Sequence, residues 1–217
     1  MNKNTLNLHL EILDSARGNL LQALIPLITG FILGGGTALA LQIAHRQSFD
    51  FDFFSISPIP KKLLEKLSSK LKIKNIAIDT KDELTFFTED NIKVTFLYYP
   101  FKPYNQIIKS ENGLAIFPIS EIALQKAYTI GRRGEYRDYF DLYFILKNNY
   151  LNLKQIISEA KKVYGSIFDE KIFLEQLVYF GDLLNFNIVP IKESALLSNP
   201  QDIKQFFQEL INSYMSG

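Results

Sequence analysis

Cysteine is absent from the 217 residues, and histidine occurs only at His9 and His45. The first absence excludes disulfides, thiolate nucleophiles and cysteine metal sites, and fits a reducing, cytoplasmic compartment. The second leaves too few imidazoles for a histidine zinc centre and makes a hydrolase triad a poor expectation. An excess of charge of one sign is lacking too. The formal net charge is +1, so the chain as a whole carries no electrostatic footprint for nucleic acid. There is no internal repeat and no low-complexity linker. The first residues lack the basic region, apolar core and small-residue cleavage site of a signal peptide, so none is expected. From Asn19 to Ala44 no residue is charged, a run long enough to span a bilayer. Pro26, Gly30 and Gly34 to Gly36 interrupt it, and a helix end, a buried strand and a second helix account for the same residues without unpaired backbone groups in lipid. No membrane partner is expected.

What is present is a hydrophobic content of 47%, enough to build cores for one large or two small domains. Phe31-Ile32-Leu33 reads as a short buried strand, and Thr37 to Ala44, rich in Ala and Leu, as a helix. Gly34, Gly35 and Gly36 therefore sit at a strand-to-helix turn. There the backbone can take positive φ, a ligand can approach the main chain, and the unpaired N–H groups of the helix start face any anion in front. Thr37 could cap the helix or donate its hydroxyl to a phosphate. Three glycines alone need do no more than turn a corner.

The next segment adds chemistry. Residues two apart on a strand point the same way, so Ser48, Asp50 and Asp52 are expected on one face, and Phe49, Phe51 and Phe53 on the other. Aromatic packing behind would hold two acids in front. Two like charges side by side are unfavourable unless solvent or a cation screens them. A divalent ion bridging the acids and a triphosphate would remove the repulsion and polarise the α-phosphate. Two solvated acids on an exposed edge are the plain alternative.

A third cluster runs from Glu121 to Leu142. Helical spacing predicts Lys126 and Arg133 on one face, and Asp138 and Asp141 on one face of the following helix. Such clusters often form a structural salt-bridge network between helices. Yet Asp141, among Phe140, Leu142, Tyr143 and Phe144, needs a partner or a role.

Taken together, G-G-T-A-L-A-L, then H-R-x-S-x-D-F-D-F-F, then K-A-x-x-x-x-x-R-x-x-x-R-D-x-x-D-L-Y resembles the AbiEii/AbiGii toxin family of nucleotidyltransferases, a branch of the DNA polymerase beta-like superfamily. The resemblance runs from about Phe31 to Leu146. It implies a polymerase beta-like α/β (α+β) mixed sheet with flanking helices, followed by a helical region. It also implies transfer of a nucleoside monophosphate from an NTP to an acceptor hydroxyl with release of pyrophosphate, using Mg2+ or Mn2+. By this resemblance Gly35, Gly36 and Thr37 form the phosphate turn, while Ser48 and Asp50 open the metal motif and Asp52 completes it. Lys126 holds the triphosphate, and Asp141 is the late acidic residue near the reacting groups. Arg46, beside His45 in the motif, and Arg133 are expected on the nucleotide. The family further implies a tRNA 3′ end as acceptor and a neutralising antitoxin as partner. A protein side chain as acceptor, and a catalytically weakened nucleotide-binding module, are the alternatives. One departure bears on the last: the superfamily takes a third carboxylate from a later central strand, and the matching strand, Ile92 to Tyr98, carries Thr95 and no acid.

Further strands are expected near Asn75 to Ile78, Leu84 to Thr88, Ile92 to Tyr99 and Leu114 to Phe117, after a lysine-bearing helix ending near Lys70. Helices are expected over Leu153 to Tyr164, Glu170 to Leu184 and Asp202 to Tyr214. The boundary falls at Pro118: an α/β nucleotidyltransferase domain over 1–118 and a helical domain over 119–217 carrying the Lys/Arg/Asp motif. Lys61, Lys62, Lys66, Lys70, Lys72 and Lys74 form the one local basic concentration, either a solvated helix face or a phosphate-backbone track for RNA.

Overall fold

Alternating and continuous apolar runs become strands as far as Pro118, and longer-period patterns become helices after it. The computed structural model of the chain describes residues 8–183, 185–191 and 199–216. Its contacts form two units, one reaching Lys102 and including Gln106–Pro118, the other comprising Pro103–Asn105 and the chain from Ile119 onward.

The first unit is built on a mixed seven-stranded sheet. Its strands are β1 (Ile32–Gly34), β2 (Phe51–Ser55), β3 (Ile73–Asp79), β4 (Glu83–Thr88), β5 (Lys93–Tyr98), β6 (Ile108–Lys109) and β7 (Ala115–Ile116), in the order β3-β4-β5-β2-β1-β7-β6. β2 runs parallel to β5 and antiparallel to β1, and β1 runs parallel to β7. Helix α1 (Ser15–Leu24) starts at Asp14, whose side chain accepts from the Arg17 amide at 2.8 Å. Helix α2 (Gly35–Ile43) follows β1 without a break, and α3 (Leu63–Ser68) buries Leu63 and Leu67. The Phe53 and Phe96 rings stack at 5.2 Å, with Phe86 stacked beyond Phe96, so the ladder that carries Asp52 is backed by aromatic core.

The second unit is helical: α4 (Ile119–Thr129), α5 (Tyr136–Lys147), α6 (Leu153–Tyr164), α7 (Glu170–Leu177) and α8 (Pro200–Ser216). From Asp138 to Leu146 every residue of α5 is buried, which makes it the unit's central helix and takes its acids out of water. Asn152 and Gln155 form a capping box on α6. Glu121 on α4 is fully buried, and its Oε2 accepts from the main-chain amides of Tyr104 and Asn105, each at 3.0 Å, fastening that short excursion of the chain to this unit. Burial raises the Glu121 carboxyl above its usual value, although the hydrogen bonds from Asn105 and Tyr104 oppose this.

Two expected elements differ in extent. The helix expected over 170–184 ends at Leu177, and Leu184 itself lies outside the described residues, as does most of the N-terminal stretch read for a signal peptide. The acid-bearing strand begins at Phe51, so Ser48 and Asp50 precede it. There the main-chain acceptors are taken by side chains: Arg17 Nε donates to the Phe49 carbonyl at 3.0 Å, and the Thr37 hydroxyl donates to that of Asp50. Phe51 and Phe53 are buried, whereas Phe49 is 44% exposed beneath the Arg17 guanidinium, 5.1 Å from its ring centroid, and forms no part of the packing behind the acids. Among the described residues no helix is long and apolar enough to cross a membrane.

Candidate active site

The glycine turn and the carboxylates meet because β1 and β2 pair antiparallel, with Gly34 opposite Asp52. Gly34 is the N-cap of α2 and supplies no side-chain cap, so the first-turn amides at the end of the ladder have no capping side chain from that position. Gly35 takes φ +65°, and a Cβ built on it would stand 2.7 Å from Asp52 Oδ2. The main chain therefore lies against the carboxylate with no room for any side chain. A Cβ on Gly36 would collide with the Arg46 guanidinium and come within 3.2 Å of Ser48 Oγ. Thr37, buried at the same turn, holds the acid segment by its bonds to the Asp50 carbonyl and, at 2.8 Å, to Ser48 Oγ.

Arg46 reaches this place through the end of α2. Ala44 caps the helix in the left-handed region at φ 49°, and the two residues that follow, His45 and Arg46, are buried. Arg46 Nη1 donates to the Gln47 carbonyl at 2.9 Å, fixing the guanidinium beneath the helix start. Seven of the expected residues, Gly35, Gly36, Thr37, Arg46, Ser48, Asp50 and Asp52, are thus gathered at one end of β1 and β2. Asp50 and Asp52 are half-buried. Sequence reasoning missed Arg17, which pins Phe49 from α1; its 32-residue separation from Phe49 leaves no local signal.

Across β2 the next strand is β5, and Asp52 pairs with Thr95 in its register. The neighbour of Asp52 on this strand is therefore a neutral hydroxyl, buried beside Thr85 Oγ1 at 3.3 Å. Among the described residues no group of three or more His, Cys, Asp or Glu side chains is placed to hold a metal.

The Lys/Arg/Asp cluster lies in the helical unit. Lys126, 4% exposed on α4, places Nζ 2.7 Å from Asp138 Oδ1 and 2.6 Å from Asp141 Oδ2. Arg133 adds Nε to Asp138 Oδ2 at 2.7 Å and Nη2 to Oδ1 at 3.0 Å. Burial alone would raise the Asp138 carboxyl, but Lys126 and Arg133 outweigh it and hold Asp138 below the ordinary carboxylate range. The expected helical face joining Lys126 to Arg133 does not form. The helix ends at Thr129, the chain turns at Gly131 with φ +80°, and Arg133 returns to the cluster from a loop. Asp138 and Asp141 do share a face of α5, and both meet Lys126.

A family model described as nucleotidyl transferase AbiEii toxin, type IV toxin–antitoxin system, matches residues 19–213. The chain belongs to the AbiEii family. It is 32% identical over 197 residues to the uncharacterized protein aq_aa25 of Aquifex aeolicus (strain VF5), a match covering 86% of this chain and 89% of that one. Two Helicobacter pylori crystal structures share its fold at 21% identity, each covering 94% of this chain and 98% of its own. They are a candidate nucleotidyltransferase with a TM-score of 0.54 and JHP933 with 0.50. As an AbiEii member the chain is an enzyme of nucleotidyl transfer, on a mixed sheet with flanking helices.

The Gly35 geometry gives a direct test of the turn. Gly35→Val should weaken NTP binding at least tenfold by calorimetric titration, because the new Cβ meets Asp52 and the positive φ is strained by about 1–2 kcal/mol. A lower melting temperature with unchanged NTP affinity would reduce the glycine to a turn residue.

Proposed function

We propose that this AbiEii enzyme transfers a nucleoside monophosphate from an NTP to the 3′ hydroxyl of a tRNA, with a divalent cation, as the toxin that a cognate antitoxin neutralises in the cytoplasm. The observation that carries the proposal is the contact of the glycine turn with Asp52, where Gly35 leaves no room for a side chain before the carboxylate. Nucleotide phosphates bound at the α2 amides would come directly before the acids.

The donor set fits Mg2+ or Mn2+. Two half-buried carboxylates suit an octahedral ion that completes its shell with phosphate oxygens and water, and suit less well an all-protein cage. When bound, such an ion would neutralise the acids and polarise the phosphate under attack. The chain's own groups do the rest. The α2 amides bind phosphate, the buried Arg46 guanidinium places positive charge behind Gly36, and Thr37 and Ser48 fix the segment bearing Asp50. Lys126 and Asp141 are assigned to the same reaction by family resemblance, and Arg133 by its place beside them. The tRNA acceptor, antitoxin and cytoplasmic setting are inherited from the family, and the lack of cysteine agrees with the last.

Incubating the protein with total tRNA, Mg2+ and each labelled NTP in turn tests the reading. Label should enter RNA, with pyrophosphate released. Label partitioning with protein on phenol extraction would replace tRNA by a side-chain acceptor. The Thr95 position supplies a second test. Thr95→Asp restores a third acid beside Asp52 and should tighten Mn2+ binding about tenfold without NTP, while lowering the melting temperature in chelator through like-charge repulsion. Unchanged Mn2+ affinity would put this strand position outside the metal's reach.

A further inference from the structure

The near-neutral chain conceals a local imbalance. Over residues 61–74, six lysines against one glutamate give +5, which leaves −4 for the rest of a chain whose total is +1. All six lysines are exposed. Lys62, Lys66 and Lys70 follow one another at four-residue spacing along α3 and its flanking turns, roughly 6 Å apart. Lys72 and Lys74 continue the ridge onto β3. Few local acids neutralise it: Lys72 lies 3.5 Å from Glu89 with both side chains exposed, a weak surface pair. Lys66 donates to the Leu27 carbonyl and Lys74 to Asn91 Oδ1, each keeping further N–H groups for another acceptor.

The ridge also has a defined place. β2 passes Asp52, leaves the sheet at Ser55 and reaches Lys61 six residues later, while Lys66 bonds to Leu27, just ahead of β1. The Lys61–Lys66 part of the ridge therefore lies at the end of β1 and β2 opposite the carboxylates, while the registers of β3, β4 and β5 bring Lys72 and Lys74 back to the Asp52 end, three strands away. Three strand residues span roughly 10 Å, less than a third of one duplex turn of about 34 Å. A folded RNA is large enough to touch both ends.

We propose that the Lys61–Lys74 ridge is a docking surface for the phosphate backbone of a structured RNA, holding the body of the acceptor while its end is at the carboxylates. The choice of RNA rests on the acceptor reading above; the surface itself rests on charge and exposure. Neutralising Lys62, Lys66 and Lys70 together as glutamines removes three phosphate contacts and leaves the acid pair and glycine turn untouched.

The test measures binding of labelled unfractionated tRNA to the full chain across a salt series, for wild type and the K62Q/K66Q/K70Q variant. The variant should bind at least tenfold more weakly at about 0.1 M salt, with a log–log salt slope shallower by about 2–3. Melting temperature and NTP affinity should match wild type. Equal tRNA affinity and slope, or no binding of tRNA by wild type, would overturn the proposal. So would loss of binding to vesicles of phosphatidylserine and phosphatidylcholine with tRNA binding intact, since the ridge would then face a membrane. Label transferred to protein, with tRNA binding still dependent on the lysines, would sink the acceptor reading and leave the surface standing.

Discussion

Asp52→Asn should lower nucleotidyl transfer on the order of a thousandfold or more while leaving the melting temperature within a few degrees of wild type. Asparagine keeps the shape of the side chain, so the ladder from Gly34 through residue 52 to Thr95 is preserved. What is lost is the charge that would hold a cation against the phosphate turn. Asp52 is locked by its strand, between Phe51 and Phe53, both fully buried. Asp50 lies ahead of the strand, secured through its carbonyl by Thr37, and Asp50→Asn should be comparably severe. Single-turnover incorporation of labelled NTP, run beside thermal melting, measures both quantities. Full activity of either variant at saturating Mg2+ would remove the acid pair from the reaction.

Lys126→Met should melt far below wild type, by on the order of 10 °C or more. The methionine fills the space but leaves Asp138 and Asp141 buried without their shared cation, a loss of roughly 3–5 kcal/mol. The pH dependence has a definite sign. Asp138 has a depressed folded pKa, so its contribution is present above its unfolded value and lost as pH falls through the folded one. In the variant Asp138 keeps Arg133 but loses the share of that depression that Lys126 supplies. The gap in melting temperature between wild type and variant should therefore close as the pH drops below the ordinary carboxylate range. A gap independent of pH would mean that packing, and not charge, is what Lys126 contributes. Turnover measured well below melting separates scaffold from reaction. A hundredfold loss supports the role assigned by resemblance, and normal turnover confines Lys126 to holding α4 on α5.

The strand that carries Asp52 and the glycine turn were readable in the sequence because both are local: two-residue alternation from Phe51 to Phe53, and glycines between a strand and a helix. The pairing that brings Gly35 against Asp52 is not local, and only the family resemblance anticipated it. The strand start at Phe51 was hidden because it depends on Arg17 and Thr37 capturing the carbonyls of Phe49 and Asp50. Arg133 followed the same rule in reverse. A salt-bridge network in this cluster is a reading the spacing allows, but the route by which Arg133 arrives, past Gly131 rather than along α4, follows from a backbone turn that helical spacing could not register.

The Glu121 clasp bears on any attempt to dissect the molecule. The polypeptide passes from the sheet unit to the helical unit at Lys102, returns at Gln106 and crosses again at Pro118, and between the last two crossings it lays down β6 and β7. No single cut yields two complete halves. Severing at Pro118 separates Glu121 from the amides of Tyr104 and Asn105, while severing at Lys102 strips the β1 edge of its parallel neighbour. Fragments produced by limited proteolysis at either point should remain associated or aggregate, and neither should refold alone as an independent module.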